Sequence, residues 1–122
     1  MSKIILIAED YDDARGYMVL LIKSFGYEVF EATNGLEAIE IAKNHHPNLI
    51  LMDISMPEMD GLTATQIIRN STDEIAKVPI IAISAFGDDY KAKALAAGCN
   101  ELLPKPVDFD TLEPVIERYI LE

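Results

Sequence analysis

Five short apolar runs alternate along the chain with longer stretches in which apolar residues recur every three or four positions. Three of the runs are almost continuously apolar, as expected of strands buried on both faces of a sheet. The second and fifth runs are shorter and more polar, which is typical of edge strands. In chain order, the predicted strands are Lys3–Ala8, Glu28–Ala32, Leu49–Asp53, Val78–Ser84 and Glu101–Leu103.

The stretches between these runs predict five helices. Asp12 and Asp13 stand at the start of the first, where acidic side chains interact favourably with the helix dipole. Gly26 follows that helix as a stop signal. The predicted helices cover residues 12–25, 35–45, 61–69, 88–97 and 109–120, the last after the candidate N-cap Asp108.

A strand followed by a helix, five times over, predicts a parallel sheet with right-handed crossovers and helices on both faces. Within 122 residues this pattern favours one α/β domain over residues 1–122. Five strands and five helices in this length suit a flavodoxin-like doubly wound sheet, a fold type whose parallel strands stand in the order 2-1-3-4-5. In that order the switch point falls between strands 1 and 3, and ligands bind at the carboxyl ends of the strands.

Polar residues follow the predicted strands at this edge. Glu9 and Asp10 come after strand 1, and Asp53 ends strand 3. Ser84 ends strand 4, and Lys105 comes shortly after strand 5. Because strands 1 and 3 are predicted neighbours, three carboxylates converge in one crevice.

Three converging carboxylates need a cation or a proton. Two unit charges about 4 Å apart repel by roughly 4 kcal/mol at an effective dielectric constant of about 20. Oxygen donors without nearby His or Cys favour Mg²⁺ over zinc. A carboxylate beside such a cation is a suitable nucleophile toward phosphorus, with Lys105 and Ser84 placed to bind phosphoryl oxygens. Each residue alone also fits a turn or surface role, and only their combination on one edge favours this chemistry.

Composition excludes several classes of partner. The chain has 21 acidic and 10 basic residues, a formal net charge of −11, so nucleic acid and anionic membranes are disfavoured. Its first apolar run is too short for a signal peptide or a membrane span, which predicts a cytoplasmic protein without membrane insertion. The single cysteine, Cys99, has no partner for an internal disulfide.

The motifs, taken together, resemble the receiver domain of response regulators in two-component signalling systems, of the chemotaxis-regulator type. The resemblance runs from about residue 3 to residue 121. It rests on Glu9-Asp10, on Asp53 followed by MPEMDG, on ISA at 83–85 and on LPKP at 103–106.

The resemblance implies a role for each residue of the predicted site. Asp53 would be the phosphorylation site, and Lys105 would be the family's lysine, followed by a cis peptide bond to Pro106. Mg²⁺ would be held by Asp10 directly, by Glu9 through water, by Asp53 and by the backbone carbonyl of Ser55. Ser84 would be the switch hydroxyl. One position departs from the family pattern, since Leu102 stands where many receivers have an aromatic residue that moves during activation.

The resemblance also implies the partners. The phosphodonor would be a histidine kinase or a histidine phosphotransfer domain that meets the first helix, with Tyr11, Arg15 and Met18 as candidate contacts. The signal would leave through the face formed by helix 4, strand 5 and helix 5. Such a domain catalyses its own phosphorylation and dephosphorylation and is otherwise not an enzyme. It would be either a stand-alone protein or a domain of a hybrid kinase or longer regulator.

Three other functions are compatible with parts of this pattern. A flavodoxin should have a loop rich in Gly, Ser and Thr after strand 1, whereas this chain has EDYDD, which would repel a flavin phosphate. A metal-dependent phosphatase with an aspartyl nucleophile should have a second acid two residues after Asp53, where this chain has Ser55. The third alternative is a receiver-like module that only binds proteins, although the complete set of site residues described above argues against it.

Overall fold

The computed structural model describes residues 2–120 and contains the predicted parallel sheet. Its strand order is β2-β1-β3-β4-β5, and all four neighbouring pairs are parallel. The strands are β1 (Ile4–Ala8), β2 (Glu28–Ala32), β3 (Leu49–Asp53), β4 (Ile80–Ser84) and β5 (Glu101–Pro104). The predicted fold class and the two predicted edge strands are therefore confirmed. Residues 1, 121 and 122, at the ends of the predicted domain, lie outside the described residues.

Within residues 2–120, five α-helices cover the two faces of the sheet and bury two apolar clusters. Met18 and Leu112, from the first and last helices, lie in one cluster, whereas Ala38, Ala64 and Ala94 lie in the other. The helices are α1 (Asp12–Ser24), α2 (Gly35–His45), α3 (Gly61–Arg69), α4 (Lys91–Ala97) and α5 (Phe109–Ile120). Over residues 2–120, none of these helices combines the length and apolar character needed to cross a bilayer.

Several element boundaries differ from the sequence predictions: β1 begins at Ile4, α1 ends at Ser24 and β5 extends to Pro104, and the starts of β4 and α4 are also displaced. Residues 74–77 form an unpredicted 3₁₀ helix, because the Asp73 side chain caps it by accepting a hydrogen bond from the Ile75 amide at 2.9 Å. That helix ends at Val78, so β4 begins at Ile80 rather than at Val78. Residues 87–90 form a second 3₁₀ turn, which begins at Gly87 with φ of 61° and delays the start of α4 to Lys91.

Gly61 allows the first turn of α3 to lie directly against the end of β3. A Cβ atom at this position would lie 2.2 Å from the backbone oxygen of Asp53 and 2.8 Å from Cγ of Met52. We expect Gly61→Ala to lower the free energy of unfolding by about 1–3 kcal/mol, the usual cost of overpacking, and to displace Asp53. Urea unfolding measures this effect.

Gly16→Ala is the matched control for this substitution. A Cβ at Gly16, which is exposed within α1, would meet no atom within 4 Å. Alanine should therefore raise stability there by about 0.5–1 kcal/mol, because glycine loses more backbone freedom on folding. Equal destabilisation by the two substitutions would contradict the close packing of Gly61 against β3.

Candidate functional site

Three acidic residues meet at the carboxyl ends of β1 and β3. Glu9 and Asp10 directly follow β1, Asp53 is the last residue of β3, and the two strands are neighbours. One carboxylate oxygen from each residue lies within 4.8 Å of the others. Glu9 and Asp53 are buried, whereas Asp10 is exposed. The structure thus brings together the three acids that the sequence placed in one crevice.

Hydrogen bonds fix both the backbone and the side chain of Glu9. Its amide donates to the Ala32 carbonyl at 3.0 Å, and its Oε2 accepts from the Tyr11 amide at 3.1 Å. Its Oε1 lies 2.8 Å from the Lys105 ammonium, close enough for an ion pair. Lys105 Nζ also donates to Asp53 Oδ2, and its approach to Glu9 Oε1 is an ion pair without full hydrogen-bond geometry among residues 2–120.

Asp53 is 2 % exposed and has a donor at each carboxylate oxygen. The Ser55 amide donates to Oδ1 at 3.1 Å, and Lys105 Nζ donates to Oδ2 at 2.9 Å. Lys105 therefore bridges the buried carboxylates of Glu9 and Asp53 with a single positive charge. The Lys105–Pro106 peptide bond is cis, as predicted.

Lys105 has a pKa above its ordinary value of 10.5. Burial by itself disfavours the ammonium, but its interactions with Glu9 and Asp53 outweigh that effect. A raised folded-state pKa stabilises the fold fully below the unfolded pKa, and this contribution is lost as pH rises through the folded pKa.

We therefore expect metal-free Lys105→Met to be less stable than the wild type at pH 8, because it leaves two buried carboxylates without their cation. The difference in urea midpoint should shrink as pH rises above about 10.5. Groups that titrate equally in both proteins cancel in this difference. A difference that stays constant to high pH would show that the ammonium does not stabilise the fold through its charge.

Ser84 lies at the same edge of the sheet but does not contact the acids through the hydrogen bonds described. Its buried Oγ accepts from the Phe86 amide at 2.9 Å, and its carbonyl accepts from the Lys105 amide at 2.8 Å. The half-exposed Phe86 ring stacks on Tyr90, with the ring centroids 5.1 Å apart. Leu102, by contrast, is a buried core residue of β5 without a ring. Within residues 2–120, the aromatic pair described near Ser84 is therefore Phe86 with Tyr90, in the segment after β4 and not in β5.

The donor set fits a magnesium ion. Three carboxylates face one ammonium, so the crevice keeps an excess of negative charge. The buried Glu9 Oε1, ion-paired with Lys105, accepts no hydrogen bond of full geometry among the described residues, so it can still accept one from a metal-bound water. Asp10 and Ser55 line an open cleft of about 680 Å³ beside the acids, giving a hydrated cation access. These observations support the predicted Mg²⁺ site.

Arg15, one of the candidate contacts with the phosphodonor, has a guanidinium that is hydrogen-bonded within the chain. It donates to Asp12, to Glu31 and to the carbonyl of Glu9, and the side chain is only 15 % exposed. The hydrogen bond with Asp12 is the main reason that the pKa of Arg15 is raised. The spacing of Asp12 and Arg15 is visible in the sequence, but the contact with Glu31 depends on the pairing of β1 with β2.

Comparison with known proteins agrees with this geometry. Residues 5–117 match the model of the response regulator receiver domain. The chain is 35 % identical to the polar-differentiation response regulator DivK of Brucella ovis, with 98 % of each chain covered. It superimposes on a putative response regulator of Chloroflexus aurantiacus with a TM-score of 0.94 at 27 % identity, covering 100 % of both chains.

A second similar structure contains a magnesium ion. It is the receiver domain of a sensor histidine kinase of Pseudomonas aeruginosa, which has a magnesium ion coordinated in its active-site cleft. The TM-score is 0.90 at 31 % identity, with 98 % of each chain covered. Together with the family match over most of its length, these similarities show that the chain belongs to the receiver domains of two-component response regulators.

Proposed function

We propose that Asp53 is the phosphoryl acceptor of this receiver domain and that Glu9, Asp10 and Lys105 form its reaction site. The observation that carries the proposal is the position of the Asp53 carboxylate, which is buried beside two further acids and hydrogen-bonded to Lys105. An acid in a surface turn would not need such partners. The same arrangement lacks the glycine-rich loop of a flavodoxin and the second catalytic acid of a phosphatase.

In the proposed reaction an Asp53 carboxylate oxygen attacks the phosphorus of a phosphohistidine. The new O–P bond forms as the P–N bond breaks, and the donor imidazole leaves with its electron pair. Mg²⁺, held by Asp10, Asp53 and the Ser55 carbonyl, with Glu9 acting through water, would supply positive charge to the phosphoryl oxygens. Lys105 is already placed to add a second positive charge, since its ammonium lies 2.9 Å from Asp53 Oδ2.

Ser84 would take part in the switch through its hydroxyl proton. Its Oγ accepts a hydrogen bond from the Phe86 amide, and its O–H can still donate to a phosphoryl oxygen. A charge-assisted hydrogen bond contributes about 1.5–3 kcal/mol. Two such bonds, from Ser84 and Lys105, approach the roughly 5.5 kcal/mol that moves a two-state equilibrium from 1:99 to 99:1. The loop after β4 then responds to phosphorylation without an aromatic residue at position 102.

The proposed phosphodonor is a histidine kinase or a histidine phosphotransfer domain, which would bind at a groove between α1 and the segment after β5. This groove has a volume of about 430 Å³, and Glu9 and Lys105 of the reaction site border it. Its other lining residues are mostly apolar and include Tyr11, Tyr17, Met18, Pro106 and Val107. An apolar groove that reaches the reaction site suits the docking of a phosphodonor protein.

We expect Tyr17→Asp to slow phosphotransfer from a phosphohistidine protein at least tenfold, because a charge would enter the apolar groove. Phosphorylation by acetyl phosphate should stay unchanged, since that donor needs no docking surface. Leu36→Asp is the control, because Leu36 is 51 % exposed, much like Tyr17 at 49 %, and lies on α2 across the sheet. Equal loss in both variants would contradict the proposed docking site.

The proposed output surface is the face formed by α4, β5 and α5. Glu101 of β5 pairs with Arg118 and accepts a hydrogen bond from the Tyr119 hydroxyl, so this face carries an ordered polar network. A downstream protein would bind here, and we propose no direct contact with nucleic acid and no membrane insertion. The chain would act as one receiver domain that catalyses only its own phosphorylation and dephosphorylation. Its buried free thiol, Cys99, fits the reducing cytoplasm.

Intact-mass spectrometry after incubation with acetyl phosphate tests the proposed chemistry. We expect the wild type to gain the mass of one phosphoryl group in the presence of Mg²⁺ and none after EDTA treatment. A protein that gains no mass with acetyl phosphate, and none with a panel of phosphohistidine proteins, would instead be a binding module. A gain that persists in EDTA would contradict the role of the metal.

A further inference from the structure

One arginine of α1 ties together three segments around the acidic crevice. Arg15 Nε donates to Glu31 Oε1 of β2 at 2.9 Å, and Nη2 donates to Asp12 Oδ1 at 2.7 Å. The third contact, from Nη1 to the carbonyl oxygen of Glu9, is 2.9 Å long. One guanidinium therefore joins the end of β1, the edge strand β2 and the start of α1.

The contact with Glu9 fixes the peptide that leads into Asp10. A peptide unit is planar, so a hydrogen bond to the Glu9 carbonyl sets the direction in which the chain leaves β1. The Glu9 amide is already held by Ala32, and the Glu9 side chain is held by the Tyr11 amide. The hydrogen bond from Arg15 fixes the Glu9 carbonyl, so that both the amide and the carbonyl of Glu9 are held in place. Asp10 therefore has a defined orientation toward the crevice.

The three contacts of Arg15 depend on the shape of the guanidinium as well as on its charge. A guanidinium has donors in a rigid planar fork, whereas a lysine ammonium is a compact point charge on a flexible stem. Lysine at position 15 would keep the charge but would not reach three acceptors in different directions. A positive charge beside the crevice also opposes a bound cation. Charge alone therefore predicts that neutralising Arg15 strengthens Mg²⁺ binding, whereas positioning predicts that it weakens binding.

We propose that Arg15 is a positioning residue for the metal-binding acids, which fixes the peptide between Glu9 and Asp10 through the Glu9 carbonyl. The inference rests on the proposed function of Glu9 and Asp10 in holding Mg²⁺. Groups that orient metal ligands typically contribute 10- to 100-fold to metal affinity. Arg15 would do so through the backbone, with Glu31 and Asp12 holding its guanidinium in place.

Isothermal titration calorimetry with Mg²⁺ on Arg15→Lys and Arg15→Met tests this role. We expect both variants to bind Mg²⁺ about tenfold more weakly than the wild type. Their initial rates of phosphorylation by acetyl phosphate should recover at saturating Mg²⁺, because Arg15 does not touch the reacting atoms. Arg118→Met, which removes an arginine paired with Glu101 on another face, should leave Mg²⁺ affinity unchanged.

Hydrogen exchange without metal gives a second readout. The Tyr11 amide, bonded to Glu9 Oε2, should exchange about tenfold faster in both Arg15 variants than in the wild type. Unchanged or tighter Mg²⁺ binding in both variants would overturn the proposal. If the wild type binds no Mg²⁺, the proposed function fails, and unchanged Tyr11 exchange would then overturn the positioning role as well.

Discussion

Asp53→Asn should abolish phosphorylation by acetyl phosphate and by phosphohistidine proteins alike. The substitution keeps the size of the side chain and an oxygen that can accept from Lys105. It removes the carboxylate that attacks phosphorus, and a neutral amide is a poor nucleophile. Intact-mass spectrometry should therefore show no phosphoryl gain, even after long incubation at saturating Mg²⁺.

Asp60→Asn is the matched control for this loss. Asp60 caps α3 in the loop after β3, and its side chain accepts from the Thr63 amide at 2.8 Å, an interaction that asparagine retains. The control should be phosphorylated like the wild type. Phosphorylation of Asp53→Asn at the wild-type rate would contradict the role of Asp53 as the acceptor.

Asp10→Asn should remove Mg²⁺ binding and bring phosphorylation close to the metal-free level. Asp10 is the exposed acid of the cluster and lines the open cleft, so its carboxylate is the one most accessible to an entering cation. A ligand that binds only the folded state stabilises it by about 2.7 kcal/mol at one hundred times its Kd. Wild-type stability should therefore rise with Mg²⁺, whereas Asp10→Asn should be insensitive to it.

The same substitution should raise stability in the absence of metal. It removes one of three neighbouring negative charges, which relieves repulsion within the crevice. Urea midpoints with and without Mg²⁺ measure both effects in one experiment. Asp13→Asn removes a nearby exposed charge outside the cluster and should preserve the Mg²⁺ dependence. An Asp10→Asn protein that Mg²⁺ still stabilises fully would contradict the role of Asp10 as a ligand.

The sequence predicted the sheet and the acidic crevice because both follow from local patterns. Continuous apolar runs identified β1, β3 and β4, and their alternation with helices implied a parallel sheet. Polar residues directly after parallel strands have to lie at one edge, and the strand order of the fold type makes β1 and β3 neighbours, which places Glu9, Asp10 and Asp53 together. Family resemblance then supplied roles that spacing alone left open.

The remaining features depend on contacts between segments that are distant in the sequence. The bond between Arg15 and Glu31 requires the pairing of β1 with β2. The approach of Gly61 to the Asp53 carbonyl depends on how α3 packs against β3. The hydrogen bond of Ser84 with the Phe86 amide depends on the shape of the loop after β4, where residues 87–90 form a 3₁₀ turn instead of a regular helical start. Periodicity carries no information about these contacts.

The role of Asp53 as the phosphoryl acceptor is tested by locating the phosphoryl group in the wild-type protein. The protein phosphorylated in Mg²⁺ is treated with borohydride, which reduces an acyl phosphate to an alcohol, and is then digested and sequenced by mass spectrometry. We expect a single reduced residue, homoserine in place of Asp53, and no homoserine in protein that was incubated with EDTA. Reduction at another acid, or a phosphoryl group that survives borohydride on a serine or threonine, would contradict the role of Asp53.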